Sequence, residues 1–172
     1  MAPVYAKKHL VPLLISGDKA SQAHAILGKL PMDTKIIEGP VGRASSIKMV
    51  RSILVKGLEA LTAECTLAAV EADVLDEVFN SLSAEHPHLD IIKHSIYNFE
   101  RSISHGKRRA EELKEVSKML EDLKLANHMS KATAIWQNNI GSLENTNSIS
   151  KIKENFVSFA KQLSAELRDI KE

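Results

Sequence analysis

The chain has 172 residues, with 23 basic against 22 acidic side chains and a formal net charge of +1. That length accommodates one well-buried domain, and the balanced charge argues against a nucleic-acid binder, which concentrates basic residues in a patch. One cysteine, Cys65, excludes an internal disulfide and fits a reducing compartment. No apolar run approaches the roughly 18 residues of a membrane span, and Met1 to Lys8 lacks the charged, apolar, small-residue order of a signal peptide. The expectation is a cytoplasmic protein with no nucleic-acid or membrane partner.

Leu10 to Ile15 is a short apolar run closed by Ser16-Gly17, which predicts a strand, with Pro12 suited to its edge or start. Asp18 is placed to cap a helix with Ala20, Ala23, Ile26, Leu27 and Leu30 on its inner face, ended by Pro31. Thr34 to Glu38 predicts a second strand. Two short strands do not make a stable sheet alone, so they read as the last strands of a larger sheet.

A glycine-rich turn, Gly39-Pro40-Val41-Gly42, then opens the longest predicted helix, running to Glu71. Both glycines permit tight backbone angles and close approach by a ligand. First-turn N–H groups of a helix lack intrahelical partners, so this end favours anions. Lys48, Ser52, Lys56 and Glu59 share one face, and Ile47, Val50, Leu54, Leu58, Leu61, Cys65 and Ala68 share roughly the opposite one. The apolar face is expected to bury, with Cys65 as a small hydrophobe. The polar face is either a solvated stripe or a rigid mount for a catalytic lysine beside an anion-binding turn. The helix dipole and partial burial both ease loss of a proton from such a lysine.

After a break at Ala72-Asp73, a short helix is predicted from Leu75 to Leu82 and a loop from Ser81 to Pro87, with Pro87 in the first turn of the next helix. Leu89, Ile92, Ile96, Phe99 and Ile103 repeat at helical spacing, and Ser104-His105-Gly106 interrupts. Leu113, Val116, Leu120 and Leu123 mark a further helix. Met129, Ala132, Trp136, Ile140 and Leu143 mark another, with Trp136 in the core. Glu144 to Ser148 reads as a loop. Ile152, Phe156, Phe159, Leu163, Leu167 and Ile170 mark the last helix, which either caps the core or packs on a second subunit. Successive amphipathic helices predict an α-helical bundle. His105, Lys107, Arg108 and Arg109 form a basic cluster that either grips a phosphate or carboxylate or is a solvated patch countered by Glu111, Glu112 and Glu115. His86, His88 and His94 lack the companions of a compact zinc set, so no metal is expected.

Gly39-x-x-Gly42-x-Ala44-x-x-x-Lys48-x-x-x-Ser52 resembles the G-x-x-G-x-G-x-x-x-K-x-x-x-N signature of the β-hydroxyacid dehydrogenases, with Ala44 for the third glycine and Ser52 for the asparagine. Lys56 to Leu61 and His105 to Glu112 resemble the phosphogluconate-dehydrogenase-like subgroup with its own helical C-terminal domain. The likeness runs from Met1 to about residue 143. It implies a mainly α chain: a helical bundle of the 6-phosphogluconate dehydrogenase C-terminal type, preceded by a strand–helix–strand remnant of a Rossmann domain. Residues 1–38 would end the dinucleotide-binding domain. Residues 39–146 would form the substrate and dimerisation domain, and 147–172 an extra amphipathic helix. Met1 to Val4 would be a late strand of the nucleotide domain. Tyr5, Ala6 and Lys7 replace the serine and glycines that hold the substrate carboxylate in the family.

The resemblance further implies an NAD- or NADP-dependent dehydrogenase acting on a hydroxy acid or related alcohol, working as a homodimer through its helical domain. Lys48 would be the general acid/base. Ser52, Gly39, Gly42, His105, Arg108 and Arg109 would meet the substrate. The G-x-G-x-x-G turn that seats a dinucleotide does not occur in these residues. The expectation is therefore a fragment, inactive alone. The alternative is a non-catalytic helical module for dimerisation or partner binding.

Overall fold

The structure, a computed structural model, describes residues 10–30, 32–88, 90–143, 152 and 155–168. In chain order these form β1 (Leu13–Ile15), α1 (Ala20–Gly28), β2 (Thr34–Ile36), α2 (Arg43–Glu71), α3 (Leu75–Glu85), α4 (Ile91–Asp122), α5 (His128–Ser142) and α6 (Phe156–Arg168). The mainly α class with a strand–helix–strand opening is the one the sequence pattern indicates. The expected strand at Met1 to Val4, the stop at Pro31, Leu89, the loop at Glu144 to Ser148 and Ile170 lie outside the described residues.

Two compact units divide between Arg51 and Ser52, inside α2. In the first unit β1 and β2 pair in parallel, Leu13 opposite Thr34 and Ile15 opposite Ile36, and α1 makes the crossover. The glycine turn belongs to this unit because it is tied to β1. Gly17 N–H donates to the Gly39 carbonyl at 3.1 Å, and Ala44 N–H donates to Ser16 Oγ at 3.0 Å. Gly17 takes φ +109°, and a Cβ there would stand 2.7 Å from Val41 Cγ2, so both conformation and space require glycine. Asp18 does not cap α1: Lys19 holds the cap position and no side chain bonds the first turn. Ile26 and Leu30 are exposed while Ala20 is buried, because two three-residue strands cover only one stripe of the helix.

In the second unit the core gathers Leu67 and Val70 of α2, Phe99 and Ile103 of α4, Ile140 of α5, and Phe159 and Leu163 of α6. The last helix thus caps this core. Phe99 meets Phe156 and Phe159 edge-on, with ring centroids 5.9 and 5.8 Å apart. That geometry suits the aromatic quadrupole. Glu71 at the end of α2 pairs with Arg168 of α6, and the Ser164 hydroxyl, then Arg168, hold its carboxyl below the usual range. Asp73, at φ +57°, marks the break after α2.

Three expectations in this unit are corrected. The segment from Ser81 to Glu85 is helical rather than a loop. Pro87 lies in a turn ahead of α4, whose cap is Asp90, accepting from Lys93 N–H at 2.9 Å. Ser104-His105-Gly106 does not interrupt: α4 runs unbroken for 32 residues. Gly106 serves close packing instead, since a Cβ there would stand 2.7 Å from Gly141 Cα. That approach also selects the buried side of α5, which is Ser130, Thr133, Ala134, Gln137 and Ile140, leaving Met129 and Ala132 outside. Trp136 is partly buried against the core.

Candidate functional site

Within the second unit, α2 turns the reverse of its expected face inward. Lys56 and Glu59 are buried, at 5% and 3% exposure, whereas Leu54, Leu58 and Leu61 are 66%, 51% and 58% exposed. Hydropathy alone misassigns the faces because the buried charges are matched by charges on α4. Lys56 Nζ donates to Glu112 Oε2 at 2.5 Å, and Arg108 pairs with the other oxygen of that carboxylate. Arg109 pairs with Glu59, which also accepts from Gln137 Nε2 of α5 at 3.4 Å. Lys56 and Glu59 of α2, three residues apart, thus meet Glu112 and Arg109 of α4, also three apart, with Arg108 as a further cation. A buried charge is tolerable only when it is paired and hydrogen-bonded.

This network brings together two of the basic residues marked in the sequence, Arg108 and Arg109. Arg109 is turned into the unit against Glu59. Burial pulls its guanidinium below the usual value, opposed by Glu112, and an arginine remains a cation throughout. Arg108 keeps about half its side chain exposed, at 51%. His105 is half-buried. Its proton affinity is lowered by desolvation, then by Arg101 and Arg108, against a backbone hydrogen bond at Ser104 and the charge of Glu112. Lys107 is exposed. Sequence reasoning missed Lys56, Glu59, Glu112 and Gln137 as members of one group, and missed Arg101. The complementary three-residue spacings at 56/59 and 109/112 were the available signal.

Gly39, Gly42 and Lys48 lie in the first unit. Gly39 and Gly42 take φ +130° and +94°, conformations that favour glycine, and nothing lies within 4 Å of a Cβ built on Gly42. The turn delivers the chain into α2, where Ser46 N–H donates to the Gly42 carbonyl at 2.9 Å. One first-turn donor expected to be open to an anion, Ala44 N–H, is already taken by Ser16 Oγ. Lys48 is exposed on α2, and Ser52, the first residue of the second unit, is half-buried.

Cys65 is only half-buried. It lines a largely apolar cavity of about 390 Å³ with Leu58, Leu61, Phe79, Leu82 and Ile91. Among the described residues no group of three or more His, Cys, Asp or Glu could hold a metal ion, and no helix is long and apolar enough to cross a membrane. The hollow after β1, about 340 Å³, is lined by Ser16, Gly17, Asp18, Lys19 and Val41 among others. It does not fit a dinucleotide by itself: Gly17 is its sole glycine, and the space a Cβ would take there is filled by Val41.

Residues 69–140 match the domain of unknown function DUF1932. The chain is 30% identical over 128 residues to an uncharacterized 28.5 kDa protein in the 7S RNA 5' region of Methanothermus fervidus, covering 73% of this chain and 49% of that protein. Among solved structures it is similar to a conserved hypothetical protein from Sinorhizobium meliloti 1021. The TM-score is 0.82 at 29% identity, over 96% of this chain and 55% of that one. It is also similar to a conserved protein of unknown function described as showing structural similarity with 3-hydroxyacid dehydrogenases. There the TM-score is 0.69 at 25% identity, over 95% of this chain and 56% of that one. The chain spans about half the length of these relatives. Of these, the second solved structure is the one whose description links its fold to 3-hydroxyacid dehydrogenases.

Proposed function

We propose that this chain supplies the substrate-facing and helical part of an NAD(P)-dependent oxidoreductase that acts on a hydroxy acid or related alcohol in the cytoplasm. Lys48 exchanges the proton of the substrate hydroxyl. Ser52 orients that hydroxyl, and the 39–42 turn lets backbone approach the ligand. His105 and Arg108 attract its carboxylate. Arg109 acts through the Glu59 pair as a positioning residue. NAD or NADP supplies the redox chemistry when bound. The observation that carries the reading is the likeness, over 95% of the chain, to a fold related to 3-hydroxyacid dehydrogenases, joined to the Lys48 motif on the helix that opens from the glycine turn.

The test is Lys48→Ala in the gene product as its organism makes it, assayed for NAD(P)H-dependent reduction of a panel of keto acids. Loss of a general acid/base lowers turnover by roughly 10²–10⁴-fold, and cofactor affinity, read by nicotinamide fluorescence, should hold. Unchanged turnover removes Lys48 from the chemistry.

A second reading is a helical module that pairs with a copy of itself without catalysis. The outward row Leu54, Leu58 and Leu61 favours it, because a contiguous apolar surface marks an interaction face. Homodimerisation through α2 is compatible with both readings. Dimer without turnover would select the second.

A further inference from the structure

A groove between α4 and α5 takes no part in the reading above. It encloses about 650 Å³, within the roughly 300–1,000 Å³ of small-molecule sites. Its floor includes Ala134 and Ile135, the latter 62% exposed. Three lysines, Lys114, Lys118 and Lys131, and one carboxylate, Glu121, line it, a formal charge of 3 − 1 = +2. Lys114 pairs with Glu111 at 2.6 Å and Lys131 with Glu121 at 3.0 Å. Lys118 makes no ion pair among the described residues. The Ser117 residue, 6% exposed, belongs to the same wall, and its hydroxyl has no hydrogen-bond partner among the described residues. That oxygen is itself shielded from solvent, so the polar contacts the groove offers a ligand are those of its lysines and amides. Asn138 and Asn139 add amide donors and acceptors at the wall.

We propose that this groove binds a small organic phosphate, a monoester with an apolar or planar body. The dianion sits among the lysines, and the body lies on Ala134 and Ile135. The choice of phosphate over carboxylate follows from charge: a lining of three lysines and one carboxylate suits a dianion better than a monoanion. A phosphate monoester carries close to two negative charges at neutral pH, which matches the lining.

The experiment is an NMR titration of the isotope-labelled full chain with phenyl phosphate, with inorganic phosphate and benzoate as separate arms. Phenyl phosphate should give saturable shifts at Ser117, Ala134, Ile135 and Asn138 and bind more tightly than either control. Lys118→Gln, at an exposed position, should weaken it roughly tenfold, the usual effect of losing one charge-assisted contact. Shifts that never saturate, shifts confined to other residues, equal affinity in Lys118→Gln, or benzoate matching phenyl phosphate would each overturn the site.

Discussion

Gly106 and Gly141 face each other so closely that a Cβ built on either would stand 2.7 Å from the other's Cα. The obstruction is backbone, which cannot swing away as a long side chain can. Gly106→Ala is therefore expected to destabilise the protein by about 1–3 kcal/mol or more through overpacking, as is Gly141→Ala. Neither gains from better helix propensity, worth only about 1 kcal/mol. Chemical unfolding of the two variants checks this; a stabilised Gly106→Ala would show that α4 and α5 separate freely.

The Glu59–Arg109 pair is buried on both sides, at 4% and 6% side-chain exposure. Glu59→Ala or Arg109→Ala alone leaves a buried charge without its partner and should cost about 3–5 kcal/mol. Glu59→Leu combined with Arg109→Met should recover much of that loss, because the desolvation of both ions is removed. A double-mutant cycle in urea measures the coupling. Additive losses would mean that the two side chains do not depend on each other.

His105 in the folded chain binds a proton less readily than its ordinary value near 6.5, first through desolvation and then through Arg101 and Arg108. The unfolded chain therefore takes the proton first. The contribution of His105 to stability is complete above about pH 6.5 and is lost as pH falls through that value toward the depressed one. Unfolding midpoints measured from about pH 7.5 down to about pH 5.5 should decline over this window, and His105→Gln should flatten the decline. An unchanged slope in that variant would assign the titration to another group.

Leu58 and Leu61 stand outward at 51% and 58% exposure. Leu58→Glu combined with Leu61→Glu should alter the folded chain's stability by less than about 0.5 kcal/mol per position, as surface substitutions do. If α2 forms a self-contact, the same variant should sediment as a smaller species. A sedimenting mass that does not respond would place any dimer contact elsewhere.

Much of the fold was legible in residue order. The strand at Ile15, the long helix after Gly42 and the break at Asp73 follow from local signals, namely an apolar run, glycines at positive φ and a left-handed residue. The orientation of α2 was not legible. Leu54, Leu58 and Leu61 obey the rule for a buried stripe, yet the inward side is held by Lys56 and Glu59. A charge pair is recognised as buried only once the matching residues, Glu112 and Arg109, are brought alongside from more than forty positions away. Gly106 misled for a similar reason, because a glycine that ends a helix and one that admits a neighbouring helix look alike until Gly141 is placed. The Gly39 and Gly42 turn needed no such partner, being contiguous in the chain.

The seating of Phe99 against Phe156 and Phe159 bears on how the gene can be shortened. The DUF1932 match stops at residue 140, short of the aromatic lid that shields Phe99, and it begins at residue 69, past Ala63 and Leu67 on the other wall. A product trimmed to the match would bare one of the largest buried side chains in the protein to water from two directions and tend to clump. Expression work should keep the chain through Arg168 and back beyond Ala63.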